Sequence, residues 1–119
     1  MDLNLENIFN EIKHHKQLKK IFRDQYDMKL IDVLIIDYLY RTHKNEITMT
    51  EVNDYFGQIA KQSEINLCIK FLYNLKFISK YRLKQDERKV MITISNEQFE
   101  KMEQLLLKIK NHLKDKGSC

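Results

Sequence analysis

From Leu3 to about Gln25 the apolar residues Leu5, Ile8, Phe9, Ile12, Leu18, Ile21 and Phe22 recur mostly three and four positions apart. That is the spacing of one helical face, and lysines and acids fill the other side. The next stretch, from Lys29 to about Thr42, is apolar nearly all round, with Leu30, Val33, Leu34, Ile36, Tyr38 and Leu39. A helix of that kind belongs at the centre of a core. Asn45 interrupts it. Glu46–Thr48 fits a short strand, and Thr48-Met-Thr-Glu51 fits a capping box, in which hydroxyl and carboxylate each satisfy an orphan N–H at a helix start. The helix so begun carries Val52, Tyr55 and Phe56 and stops at Gly57, and Ser63 is the expected N-cap of a further helix to about Lys76.

Beyond Lys76 the period changes from helical to alternating. Ile78–Arg82 and Val90–Ile94 read as strands, the second with Val90, Ile92 and Ile94 on one face, and Lys84–Arg88 reads as a charged hairpin tip. From Asn96 to Lys116 the stripe Phe99, Met102, Leu105, Leu106, Ile109 and Leu113 predicts a last long helix. The order is helix, helix, strand, helix, helix, hairpin, helix. It predicts a mainly α (α+β) winged helix-turn-helix: one domain over 1–119, with terminal helices 3–25 and 96–116, a helix-turn-helix over 50–76 and a two-stranded wing over 77–95.

Composition sharpens this picture at a few points. The chain has no proline and only two glycines among its 119 residues, which suits long helices with few elaborate loops. Its formal net charge is only +4, but residues 61–90 hold eight Lys and Arg against three Asp and Glu, whereas residues 31–60 hold two against five. The excess positive charge therefore falls on the second helix of the helix-turn-helix and on the wing, where a polyanionic partner is expected. No signal-peptide type of apolar run opens the chain, and none approaches the ~20 residues of a membrane span, so a cytoplasmic location is expected.

In the helix after Ser63, Ile65, Cys68, Ile69, Leu72 and Leu75 share the expected inward side. Asn66, Lys70, Tyr73 and Asn74 point away, with Lys61, Gln62 and Ser63 at its N-terminal end. Asparagine and glutamine can pair with adenine edges, and lysine can reach guanine acceptors or phosphate. Leu67 and Phe71, one turn apart on the flank, are expected to pack on the preceding helix. In the hairpin, Lys80, Arg82, Lys84, Arg88 and Lys89 form a basic strip, with Gln85 a further contact candidate at its tip and Asp86 placed to orient Arg88. An arginine at a wing tip can enter the minor groove, where negative potential is focused over A·T-rich DNA.

Ser79-Lys-Tyr-Arg-Leu-Lys-Gln-Asp-Glu-Arg88, followed by Val90-Met-Ile-Thr-Ile94, resembles the wing of the staphylococcal accessory regulators, the small SarA-like branch of the MarR-type transcription factors. Helix order, length, Phe22 before a basic–acidic break and the apolar second helix extend the similarity over most of the chain. The resemblance implies a dimeric regulator of virulence or surface-protein genes that binds A·T-rich promoter DNA, with Asn66, Lys70, Arg88 and their neighbours at contact positions. Redox-sensing members carry a cysteine in the N-terminal helix. No cysteine lies between Met1 and Asn66 in this sequence, so that route of sensing is not expected.

Dimerisation is expected through the terminal helices, by Ile8, Phe9 and Ile12 from one and Leu105, Leu106, Ile109 and Leu113 from the other. Cys68 is expected to be a packing residue and Cys119 an exposed terminal one. Glu11 with His14 and His15 falls short of a closed zinc site, and His43 and His112 read as isolated surface residues. No Gly-rich phosphate loop, Gly-x-Ser-x-Gly elbow or His-Glu-x-x-His motif is present, and no cofactor or small-molecule effector is indicated. The expected function is sequence-selective DNA binding by a regulator, not catalysis. A protein–protein adaptor on the same scaffold, or an architectural DNA binder without sequence preference, are the alternatives.

Overall fold

The computed structural model describes residues 16–117, with side chains described from Lys20 to His112 apart from 21 and 86–88. The elements in chain order are α1 (Lys16–Tyr26), α2 (Leu30–Thr42), β1 (Glu46–Thr48), α3 (Met49–Phe56), α4 (Gln62–Asn74), β2 (Ser79–Leu83), β3 (Asp86–Thr93) and α5 (Asn96–Gly117). This is the winged helix-turn-helix order read from the sequence.

Helix α2 is the centre. Val33, Ile35, Ile36 and Leu39 are all buried, and the carboxylates of Asp32 and Asp37 are buried with them. Each acid has a stated use. Asp32 accepts the Lys29 backbone N–H at 2.9 Å and so caps the start of α2, and Asp37 pairs with Arg41 Nε one turn on at 2.9 Å. Helix α5 lies against α2 with Phe99, Met102, Leu106 and Ile109, a three- and four-residue spacing that turns one stripe into the core. From α1, Phe22 is fully buried, and Tyr26 meets His112 edge-on at 6.4 Å between ring centroids. His112 is thus packed against an aromatic ring, not isolated. His43 likewise meets Phe99, for the reason that α2 ends beside the start of α5.

The three strands form one antiparallel sheet in the order β1-β3-β2, so the wing gains a third strand from the segment before the helix-turn-helix. Ile47 sits opposite Ile92, and both are buried. Asn45 prolongs this pairing, its carbonyl accepting from the Ile94 N–H at 2.8 Å and its side-chain Nδ2 donating to the Ile94 carbonyl at 3.1 Å. The residue that ends the α2 pattern therefore fastens the chain to the base of the wing. The expected capping box is present: Thr48 Oγ1 accepts the Glu51 N–H at 3.1 Å, and Glu51 Oε2 accepts the Thr48 N–H at 3.3 Å. A cap of this kind is worth about 1 kcal/mol.

Candidate nucleic-acid interface

Helix α4 packs on α2 and α3 through Ile65, Cys68, Ile69 and Leu72, each at most 3% exposed. Cys68 lies close to the buried carboxylate of Asp32. Burial, then Asp32, push that thiol far above the ordinary range, against a smaller opposing pull from Lys29. Such a thiol is a packing group and not a nucleophile.

The opposite face of α4 is open. Asn66, Lys70, Tyr73 and Asn74 are all exposed, as are Lys61, Gln62 and Ser63 at its start. Three expectations need correction here. Ser63 is not the N-cap: α4 begins at Gln62, Lys61 takes the extended cap conformation (φ −75°, ψ 151°), and no side chain caps the helix. Ser63 is therefore inside the first turn. Leu75 does not complete the inward stripe and is 40% exposed. The helix closes at Lys76, whose φ of 66° is left-handed; the Phe77 N–H bonds to the Leu72 carbonyl and the Lys76 N–H to that of Tyr73. This C-terminal turn swings Phe77 into the core in place of Leu75. Leu67, expected on α3, is instead 63% exposed, while Phe71 does pack partly against the core.

The wing follows at once. In β2, residues Ser79–Arg82 are exposed and Leu83 is half-buried; Lys84 and Gln85 form an exposed turn. The hairpin tip is shorter than expected, because Leu83 already pairs with Asp86 after an irregularity between Arg82 and Leu83. That two-residue turn places Asp86 and Arg88 at the start of β3, where the structure describes the backbone alone. Helix and wing touch directly: Lys80 Nζ lies 4.9 Å from the centroid of the Tyr73 ring, a cation–π contact.

Two residues that fix the helix-to-wing junction escaped the sequence reading. Gln98 caps α5 with Ser95, its Oε1 accepting the Ser95 N–H at 2.9 Å while Ser95 Oγ accepts the Gln98 N–H at 3.2 Å. Its Nε2 then donates to the Lys76 carbonyl at 3.4 Å and to Ser79 Oγ at 3.3 Å. One turn on, Lys101 Nζ donates to the Leu75 carbonyl and sits over the Phe77 ring at 4.5 Å, a cation at the carbonyl end of α4. The Ser-x-x-Gln spacing was a legible capping signal; the reach across to Lys76 was not.

The proposed dimer stripe on α5 also needs correction. Leu106 and Ile109 are fully buried within one chain, so they are core positions, and Leu105 is half-buried. The Leu113 side chain and Ile8, Phe9 and Ile12 lie outside the described residues, as do Glu11, His14, His15 and Cys119. Among the described residues no helix is long and apolar enough to cross a membrane, and no three acidic, His or Cys side chains gather where they would hold a metal.

Comparison with known proteins agrees with this geometry. The chain is 29% identical over 107 residues to the HTH-type transcriptional regulator SarR of Staphylococcus aureus (strain USA300), an alignment covering 83% of this chain and 87% of that one. Its fold matches S. aureus MepR in a DNA-binding conformation with a TM-score of 0.64 at 18% identity, over 95% of this chain and 81% of MepR. Reduced AbfR bound to DNA matches with a TM-score of 0.63 at 14% identity, over 88% and 72% of the two chains. The family described as Transcriptional regulator SarA/Rot matches residues 17–105. With helix-turn-helix, wing and relatives in agreement, the chain belongs to the SarA/Rot family of transcription regulators, which are not enzymes.

Proposed function

We propose that this regulator binds A·T-rich promoter DNA sequence-selectively as a homodimer in the cytoplasm, at virulence or surface-protein genes. The open face of α4 carries this reading: Asn66, Lys70 and Asn74 stand exposed on one side of a helix whose other side is fully packed. Lying in the major groove, that face offers hydrogen-bonding side chains to base edges, with Lys61, Gln62, Ser63 and Tyr73 flanking. Arg82, Lys84, Gln85, Asp86 and Arg88 belong to the wing, whose tip meets the minor groove and the phosphates beside it. MepR in its DNA-binding conformation and AbfR bound to DNA support this placement by fold.

The dimer rests on the terminal helices. Because Leu106 and Ile109 are used up in the chain's own core, the seam on α5 falls to Leu105, Leu107 and positions beyond, together with Ile8, Phe9 and Ile12. A two-fold pair sets two α4 helices about one DNA turn apart, one for each half-site.

The test is equilibrium binding to a duplex selected from a random pool, against random duplex, over a range of salt. The parent binds the selected duplex with an affinity at least about a thousandfold higher. Lys70→Ala reduces the salt slope by about one if it meets phosphate, whereas Asn66→Ala relaxes base preference. Equal affinity for both duplexes identifies an architectural binder, and no binding at ordinary salt identifies an adaptor. Either outcome overturns the proposal.

A further inference from the structure

Among the described residues the large apolar side chains left exposed are Tyr55, Ile59, Leu67, Tyr73, Leu75 and Tyr81, all within the helix-turn-helix and the wing. The same part carries the positive excess of residues 61–90. Scattered single apolar residues on a surface need no explanation. This set falls within residues 55–81, and Leu67 is its aliphatic member on α4.

Leu67 lies on the open face of α4 at 63% exposure. Its helical neighbours on that face are Ser63 and Glu64 before it and Lys70, Phe71 and Asn74 after it, with Asn66 to the side; all are exposed except the half-buried Phe71. The leucine is therefore an apolar spot among mostly polar side chains, Lys70 and the asparagines on one flank and Glu64 on the other, on the helix that the proposed function places in the major groove. There one apolar feature marks sequence, the C5 methyl of thymine. A solvent-exposed leucine gains by covering it, and the flanking lysine and asparagines suit a polyanion and its base edges better than an apolar protein surface.

We infer that Leu67 is a specificity-determining residue that selects thymine by apolar contact with its C5 methyl group. The inference rests on the proposed DNA-binding function and goes beyond it by naming the group that is read.

The test exchanges each thymine of the selected duplex for deoxyuridine, which lacks only the methyl, and measures the affinity of the parent and of Leu67→Ala. At one thymine position of a half-site the exchange weakens the parent about fourfold, the scale for one methyl-sized group removed from water. Leu67→Ala binds the thymine duplex correspondingly more weakly and is indifferent to the exchange at that position. Alanine at an exposed helical position preserves the helix, and circular dichroism checks that it has. Equal losses for parent and variant at every thymine, or no sensitive thymine, overturn the role of Leu67 and leave the DNA-binding function standing. If no duplex is enriched from the pool by the parent, both fall.

Discussion

The imidazole of His43 stacks on the ring of Phe99 with 4.0 Å between centroids and 20° between planes. His43 closes α2 in the left-handed conformation (φ 54°, ψ 36°), its N–H bonded to the Leu39 carbonyl, so the stack clamps that strained end onto the first turn of α5. His43→Ala loses the ring and keeps the unfavourable backbone, and should lower the unfolding free energy by about 1 kcal/mol. His43→Gly loses the same ring but relieves the left-handed position, so it should be the more stable of the two, by about 1 kcal/mol. Urea unfolding of both, and of each combined with Phe99→Leu, gives the coupling. Strictly additive losses would mean the stack contributes nothing.

Gln98 uses its two amide atoms for different purposes, and Gln98→Glu separates them. The carboxylate keeps the cap on the Ser95 N–H but has no donor for the carbonyl of Lys76. Global stability should therefore change by no more than about 1 kcal/mol, while amides of Lys76–Lys80 exchange with solvent faster. Gln98→Ala, which loses both functions, should be less stable than either. Unaltered exchange in the glutamate variant would show that the wing is held without this contact.

Cys68 gives the protein an alkaline limb of stability. The folded thiol binds its proton more tightly than the unfolded one, so its contribution is complete below the unfolded value of about 8.5 and declines as pH rises past it. Tyr26, Tyr38 and Tyr40, all raised chiefly by burial, extend the decline above about pH 10. In a Cys119→Ser background, Cys68→Ala should lower stability at neutral pH yet flatten its slope between about pH 8.5 and 10. Iodoacetamide should label Cys68 only after unfolding. Parallel slopes, or full labelling of the folded protein, would contradict this account.

Local signals carried most of the fold. The all-round apolar run of α2, the Thr48–Glu51 box and the alternation of β3 each hold within a few residues, and each element formed where its pattern lay. The exposed face of α4 was legible for the same reason, because Asn66, Lys70 and Asn74 oppose Ile65, Ile69 and Leu72 at helical spacing. What failed depended on tertiary partners. Leu75 leaves the core because a left-handed Lys76 hands its place to Phe77. Leu106 and Ile109, expected in a dimer seam, lie in the core, since an apolar stripe does not say whether its own chain or a copy covers it. Gln98 and Lys101 act on residues 22 and 26 positions away, a distance at which spacing carries no information.

Strand β2 is an outer strand of the sheet, since β3 lies between it and β1. A free strand edge invites another chain to add to it, and charged side chains along the edge are a common safeguard. Lys80 and Arg82 stand on that strand, in the wing proposed to meet DNA. The positive charge of the wing thus has a second value in the unbound protein, as protection against edge-to-edge aggregation. Neutralising the wing would remove that protection, so such variants are expected to be less soluble while keeping the helical content of the parent.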